Sequence, residues 1–196
     1  MNKIIMIEGA RNVGKTYLIN SLENAQTYKF PFSKYFNESY TDGLPDSAKM
    51  NCNGEESLFY LTIGYDITIL DLAKKGLLKT DLIVDRGILS DIIFAIQSGR
   101  IDYYNAIKAW NWLYTEYEDV FKIYYITTDL NTDNRNKDAW NIYDQKETMV
   151  LYNNFIESGN RDFRYDIHVF KNNFDDTSVT KFKNDIDLIL NGMGLI

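Results

Sequence analysis

The chain is short of the residues that most often announce a chemistry. Its single cysteine, Cys52, excludes an internal disulfide and supplies no cysteine cluster for a metal. His168 is the only histidine, which argues against a histidine-based triad and leaves no multi-histidine metal site. No apolar run approaches the roughly 18 residues of a membrane span. The N-terminus lacks a signal-peptide layout, because a strand pattern begins almost at once, so a cytoplasmic location is the default expectation. Basic residues are the minority: 21 Lys and Arg against 28 Asp and Glu give a net charge of −7, with a pI of about 4.8. Such a chain gains no general electrostatic attraction to DNA or RNA, so general nucleic-acid binding is not expected. Both prolines, Pro31 and Pro45, fall in one stretch, which singles that stretch out.

What is present is ordinary in amount and specific in place. The 196 residues, 45% hydrophobic and 25% charged, suit one domain, 1–196, with a sizeable core. Residues Lys3 to Glu8, KIIMIE, form a short apolar run fit for a buried central strand. Directly after it, Gly9-Ala10-Arg11-Asn12-Val13-Gly14-Lys15-Thr16 matches G-x-x-x-x-G-K-[ST], the phosphate-binding loop. Tyr17, Leu18 and Leu22, spaced among polar residues, then read as a helix. Strand, loop and helix are the context this motif requires. Its glycines let backbone N–H groups wrap around phosphate oxygens. Lys15 is placed to reach the β- and γ-phosphates of ATP, and the Thr16 hydroxyl to ligate Mg²⁺.

Residues from about 27 to 54 carry both prolines and the turn signals Asp42-Gly43 and Asn53-Gly54, with no long periodicity. A segment of that kind usually serves function. Asn53 and Glu56 resemble a capping box. The helix after them is expected over 55–73, with Leu58, Leu61, Tyr65, Ile69 and Leu72 on one face and Gly76 as its stop. DLIVDRG at 81–87 is a second buried strand, and Lys122 to Thr127 and Asp166 to Phe170 are a third and fourth. Helices are expected over 90–98, 104–117, 144–158 and 178–191, and a polar segment runs from 129 to 143. Alternating strands and helices predict an α/β fold, a parallel sheet with helices on both faces. Ligands of such sheets sit beyond the carboxyl ends of the strands. Glu8, Asp85 and Asp129 fall at those ends, as does the loop.

Asp85-Arg86 closes the second strand. A carboxylate there can hold Mg²⁺, directly or through water, or accept a proton from an attacking group. The arginine can clamp a phosphate through two parallel hydrogen bonds. A surface ion pair at a strand end is the plain alternative, and the loop about 70 residues upstream favours the functional one.

With these residues the chain resembles the thymidylate kinases, within the wider group of nucleotide and deoxynucleoside kinases. IIMIEGARNVGKT is similar to the family's first strand and loop, Lys29-Phe30-Pro31 to its basic-Phe-Pro segment, and LIVDRGILS to its Asp-Arg strand end with Ser90 following. Ile142-Tyr143-Asp144 resembles the Tyr-acid pair of its lid. The resemblance implies a P-loop kinase-type fold, a substrate-side segment at about 27–54 and a lid at about 129–143. It implies transfer of the γ-phosphate of ATP, with Mg²⁺, to a deoxynucleoside monophosphate. Lys15 and Arg11 would neutralise the donor side, and Gly9, Asn12, Val13, Gly14, Lys15, Thr16 and Arg135 would bind ATP, with Lys137 an equal candidate in the lid. Lys34, Phe30, Tyr65, Asp66, Arg86 and Ser90 would line the acceptor side. Thr16 and Asp85 would hold the metal.

The chain departs from the family at several of these positions. Arg11 stands where an acidic residue is usual, Ser33 replaces an arginine, Ile142 replaces the lid arginine, and residues 55–73 contain no Arg or Lys to read thymine. Thr62 and Asp66 are the polar candidates there, unless both face solvent. An ionised Asp66 would prefer a base that presents donors, such as guanine or cytosine. Two other functions stay open. A deoxynucleoside kinase needs a carboxylate base for a 5′-hydroxyl, which Glu8 can supply. A P-loop ATPase or switch protein needs no small acceptor at all. A homodimer is a further possibility, with the aromatic stripe Tyr103, Tyr104, Trp110, Trp112 and Tyr114 as either interface or core.

Overall fold

A computed structural model describes residues 3–22, 26–28, 52–97, 99, 101–129, 145–159 and 166–191, with side chains left out at 52–62 and at 158–159. Five strands form one sheet: β1 (Ile4–Glu8), β2 (Thr27–Tyr28), β3 (Leu82–Asp85), β4 (Phe121–Thr127) and β5 (Ile167–Lys171). Their spatial order is β2-β3-β1-β4-β5, and every pairing is parallel. The helices are α1 (Lys15–Asn20), α2 (Cys52–Lys74), α3 (Ile88–Gln97), α4 (Tyr103–Tyr117), α5 (Gln145–Gly159) and α6 (Asp176–Leu190). This is the expected α/β architecture, a parallel sheet covered by helices on both faces.

The alternation of side chains along each strand divides the core in two. Ile4 and Met6 of β1, Val84 of β3 and Ile123 and Tyr125 of β4 face α2–α5, against Leu70, Ile92, Trp110 and Phe155. Ile5, Ile7, Ile83, Tyr124, Ile126 and Phe170 face α1 and α6, against Leu18, Phe182 and Ile186. All five residues of β1 are buried because apolar helices cover both sides of it, which explains the unbroken run IIMIE. The register pairs Ile7 with Asp85 on one side and Glu8 with Tyr125 on the other. The carboxyl ends of β1, β3 and β4 therefore open at one rim, where the glycine loop begins.

The short β2 had no clear signature, since two residues at a sheet edge are too few to show a period. Two helices begin earlier than their apolar patterns suggest, because aspartates cap them: Asp102 accepts from the Asn105 N–H at 3.0 Å, and Asp175 from the Ser178 N–H at 2.7 Å. The α2 helix is already formed at Cys52, so Asn53 lies within it and is not its cap. Gly76 ends it as expected: φ is 67°, and the Gly76 and Leu77 N–H groups bond back to Ala73 and Leu72 at 2.9 and 2.8 Å.

The buried face of α2 is a correction. Ile69 is buried, but Tyr65 and Leu72 are exposed; the inward stripe is Asp66, Ile69, Leu70 and Ala73. Its spacing is helical, and the aspartate within it hid the stripe from a reading of apolar residues alone. Leu58, Leu61 and Thr62 lie among the side chains not described. The aromatic stripe on α4 also divides. Trp110 and Tyr114 are core, whereas Tyr104 and Trp112 are exposed and Tyr103 half-exposed. Among the described residues no helix is long and apolar enough to cross a membrane.

Candidate active site

The glycine loop leaves β1 and turns into α1 across the sheet rim. Gly9 has φ 138°, and a Cβ there would come within 2.3 Å of the Ile126 carbonyl oxygen. Gly14 has φ 89°, and a Cβ there would meet the Asn172 amide nitrogen at 2.3 Å and the Phe174 ring at 2.9 Å. Both glycines are thus required by backbone conformation and by close approach. Asn12 also has a positive φ, 59°. Val13 is packed into the core, which anchors the middle of the loop. Lys15 is buried, and its ammonium donates to the carbonyls of Gly9, at 2.8 Å, and of Ala10. The lysine bridges the loop that it belongs to, with its charge held at the centre of the loop's curve.

Thr16 and Asp85 come from different elements and meet. The Thr16 hydroxyl donates to Asp85 Oδ2 at 3.1 Å. Both offer hard oxygen ligands, as Mg²⁺ requires, and adjacent ligands on an octahedral Mg²⁺ stand about 2.9 Å apart. The spacing therefore fits two neighbouring positions on one ion. No cluster of three or more His, Cys, Asp or Glu able to hold a metal exists among the described residues. A site of two protein ligands completed by phosphate and water suits Mg²⁺ in particular.

Arg86 follows Asp85 with φ 69°, a left-handed conformation that turns the chain from β3 into α3. Its N–H bonds to the Ile7 carbonyl at 3.0 Å. The guanidinium lies 5.1 Å from the Phe94 ring centroid, and Nη1 reaches toward the Gly9 carbonyl at 3.5 Å. Loop lysine, Thr16–Asp85 pair and arginine are thus assembled at one rim, as the motifs suggested. Arg11 is half-buried in the same loop.

Two acidic residues behave in ways that the sequence did not reveal. Glu8 is completely buried. The Gly87 N–H donates to Oε1 at 3.1 Å, the Ser90 N–H donates to Oε2 at 3.0 Å, and the Ser90 hydroxyl also donates to Oε2. Burial lifts its pKa above the usual carboxylate range, against the opposing pull of Ser90, Arg86, Gly87 and Lys15. Ser90 is equally buried, with Tyr152 Oη 2.7 Å from its hydroxyl, so it braces the turn from within. Asp66 is 4% exposed, and its pKa is pushed up to about 9, mainly by burial and then by the neighbouring charges of Asp91 and Glu8. At neutral pH it is a carboxylic acid carrying one donor. Its burial sets aside the solvent-facing alternative for Asp66. Beside it Tyr65 stacks on Tyr28, with centroids 5.4 Å apart. Phe30, Lys34, Arg135 and Lys137 lie outside the described residues. His168 stands away from this rim, its ring tilted against Tyr124 at 4.6 Å between centroids and its Nε2 3.3 Å from Asp185 Oδ2.

The loop between β5 and α6 was missed. The Asn172 side chain is fully buried and donates to the Val13 carbonyl at 2.9 Å, while its Oδ1 accepts the Phe174 N–H at 2.9 Å. Its own N–H bonds to the Thr127 carbonyl at 2.8 Å. Asn172 thus clamps the glycine loop to the ends of β4 and β5. The signal available was a polar Asn-Asn pair directly after a predicted strand. Asn172→Ala leaves buried groups unpaired, at about 1–3 kcal/mol, and loosens the loop. The expected result is a rise of about tenfold in KM for ATP with acceptor KM little changed. An unchanged KM for ATP would reduce Asn172 to packing.

Neither a protein-family model nor a curated protein sequence matches the chain. Solved structures do match its fold. The NadR protein in complex with NAD and AMP-PNP superposes with a TM-score of 0.53 at 14% identity, over 100% of this chain and 51% of that one. The chain thus spans about half the length of NadR. The deoxyadenosine kinase of M. mycoides with bound dATP gives a TM-score of 0.50 at 15% identity, over 96% of this chain and 99% of that one. The thymidylate kinase of Ehrlichia chaffeensis gives 0.50 at 14% identity, over 96% and 98%. The fold is therefore of the P-loop kinase type. Because three different kinds of protein match equally well, the likeness supports that group and does not single out the thymidylate kinases.

Proposed function

We propose that the chain is a nucleoside monophosphate kinase, transferring the γ-phosphate of ATP to a deoxynucleoside monophosphate in the cytoplasm. The observation that carries the reading is the convergence of Lys15, the Thr16–Asp85 pair and Arg86 on one rim, from two segments about 70 residues apart, the start of α1 and the end of β3. Phosphoryl transfer spreads negative charge over the moving group, so positioning and electrostatics do most of the work. The Gly9–Thr16 loop and Lys15 receive the donor phosphates, with Arg11 beside them and Arg135 or Lys137 as the closing cation. Arg86, with Lys34 and Phe30, takes the acceptor. Thr16 and Asp85 would hold Mg²⁺, which would supply charge neutralisation for the transfer.

An acceptor phosphate is ionised at neutral pH and needs no strong base. This separates the reading from a deoxynucleoside kinase. The Glu8 offered for that role is fully buried, with both oxygens already accepting hydrogen bonds. Tyr65, exposed on α2, and Asp66 beside it are the residues of that helix offered for the base. As a neutral acid, Asp66 can match a base edge that presents an acceptor beside a donor, which widens the choice beyond guanine and cytosine.

The test is ATP turnover with and without the four natural deoxynucleoside monophosphates, repeated in Arg86→Ala. Turnover should depend on a monophosphate and not be satisfied by the nucleosides. Losing a charge-assisted pair to phosphate should lower kcat/KM for the acceptor by about 10²-fold, with KM for ATP within about threefold. Acceptor-independent hydrolysis would favour a switch or ATPase. Damage to ATP affinity alone in Arg86→Ala would reverse the donor and acceptor sides.

A further inference from the structure

We infer that Glu8 is a positioning residue that holds Arg86 in place for the acceptor phosphate, an inference that rests on the phosphoryl-transfer reading above. Arg86 adopts φ 69°, which is unfavourable for any residue with a Cβ. Something must hold it there. Its own N–H is bonded to Ile7, the residue before Glu8. The next residue, Gly87, and Ser90 in the first turn of α3 are fixed by the Glu8 side chain. Gly87 donates to one carboxylate oxygen and Ser90 to the other, so Glu8 caps the first turn of α3 from a neighbouring strand. A negative group is favoured at that end of a helix. The Ser90 hydroxyl gives its single proton to Glu8, so the Tyr152 phenol donates to Ser90 and ties the cap to α5. Gly87 is needed for this approach: a Cβ there would stand 3.2 Å from Glu8 Oε1 and 2.6 Å from Met6 Sδ.

The arrangement requires a carboxylate and not merely a polar group. Both oxygens accept from N–H groups. An amide in the same place would set its own N–H₂ against one of those donors. Glu8 is fully buried, so its oxygens depend on these donors in place of water. Glu8 thus converts the rigid position of β1 into a fixed direction for Arg86, without touching the substrate.

The test is Glu8→Gln, alone and in an Arg86→Ala background. Alone it should lower kcat/KM for the nucleoside monophosphate by about 10- to 100-fold, with KM for ATP within about threefold. In the Arg86→Ala background the same change should cost less than about twofold, because the residue that it positions is gone. An equal loss in both backgrounds, or an equal rise in KM for ATP, would overturn the inference and make Glu8 a general scaffold residue. Should Glu8→Gln fail to fold, Ser90→Ala removes a single bond to the carboxylate and should give a loss of about three- to tenfold with the same dependence on Arg86. Backbone hydrogen exchange separates this idea from the reading beneath it. If the wild type phosphorylates no acceptor, the transfer reading fails by itself. The Gly87 and Ser90 amides should still exchange at least about tenfold faster in the Glu8 variant, and unchanged exchange there would overturn the positioning role.

Discussion

Lys15→Ala is expected to lower phosphoryl transfer by about 10³-fold or more while the sheet and its helices remain folded. The Lys15 ammonium bonds to the Gly9 and Ala10 carbonyls and is nearly inaccessible to solvent. In the proposed reaction those carbonyls belong to the loop that would receive the phosphates, and the positive charge would stand where negative charge develops during transfer. Alanine removes the charge and also leaves two carbonyls short of a donor. The second effect costs stability, on the order of 1–3 kcal/mol, but it is confined to the loop. The core flanking β1 is built from Ile4, Met6, Ile5 and Ile7, which the substitution does not touch. Circular dichroism and Tm show whether the fold survives, and a single-turnover assay measures transfer. A folded variant that keeps wild-type turnover would remove the loop from the mechanism.

Asp66→Asn is expected to stabilise the protein at alkaline pH and to have little effect near pH 4. The side chain is buried in α2, faces Asp91 and Glu8, and titrates near 9 in the folded state against 3.8 as its ordinary value. Between these values the native state holds a proton that the unfolded chain has released. Stability from this group is therefore fully present below about pH 4 and is lost as pH rises through about 9. Asparagine keeps the shape, a donor and an acceptor without ionising, so the loss disappears. At pH 8 the gain should be several kcal/mol, read as a higher Tm that converges on the wild-type value near pH 4. Equal pH dependence of Tm in the two proteins would mean that Asp66 is not held neutral. A second readout separates burial from recognition. Asp66→Ala should change the ranking of the four deoxynucleoside monophosphates more than the maximal rate, whereas Asp66→Asn should preserve it.

Much of this arrangement was legible in the residues. The apolar run before Gly9, the spacing of Gly14, Lys15 and Thr16, and the Asp85-Arg86 strand end already point to a glycine loop and its neighbours on one rim of the sheet. Those signals are local: each depends on a strand of a few residues and the turn that follows it. Asp66 was visible as a polar residue on α2, but its direction was not, because an aspartate inside a buried stripe makes the helix look amphipathic about the wrong face. Asn172 was invisible for another reason. It lies more than 150 residues from Val13 in the chain, and no periodicity links them.

The sequence by itself determined the class of fold and the chemistry of the loop, because both follow from short-range rules: side-chain alternation, glycine conformation and the charge of one lysine. Only the tertiary structure decided what the carboxylates do. Glu8 and Asp66 are the same kind of group, and either can act as a base, a metal ligand or a hydrogen-bond donor. Glu8 became a helix cap because β1 ends beside the first turn of α3. Asp66 became a neutral acid because α2 turns it inward toward two other carboxyl groups. Their roles depend on solvent exposure and neighbouring charge, which arise only when distant segments of the chain are brought together.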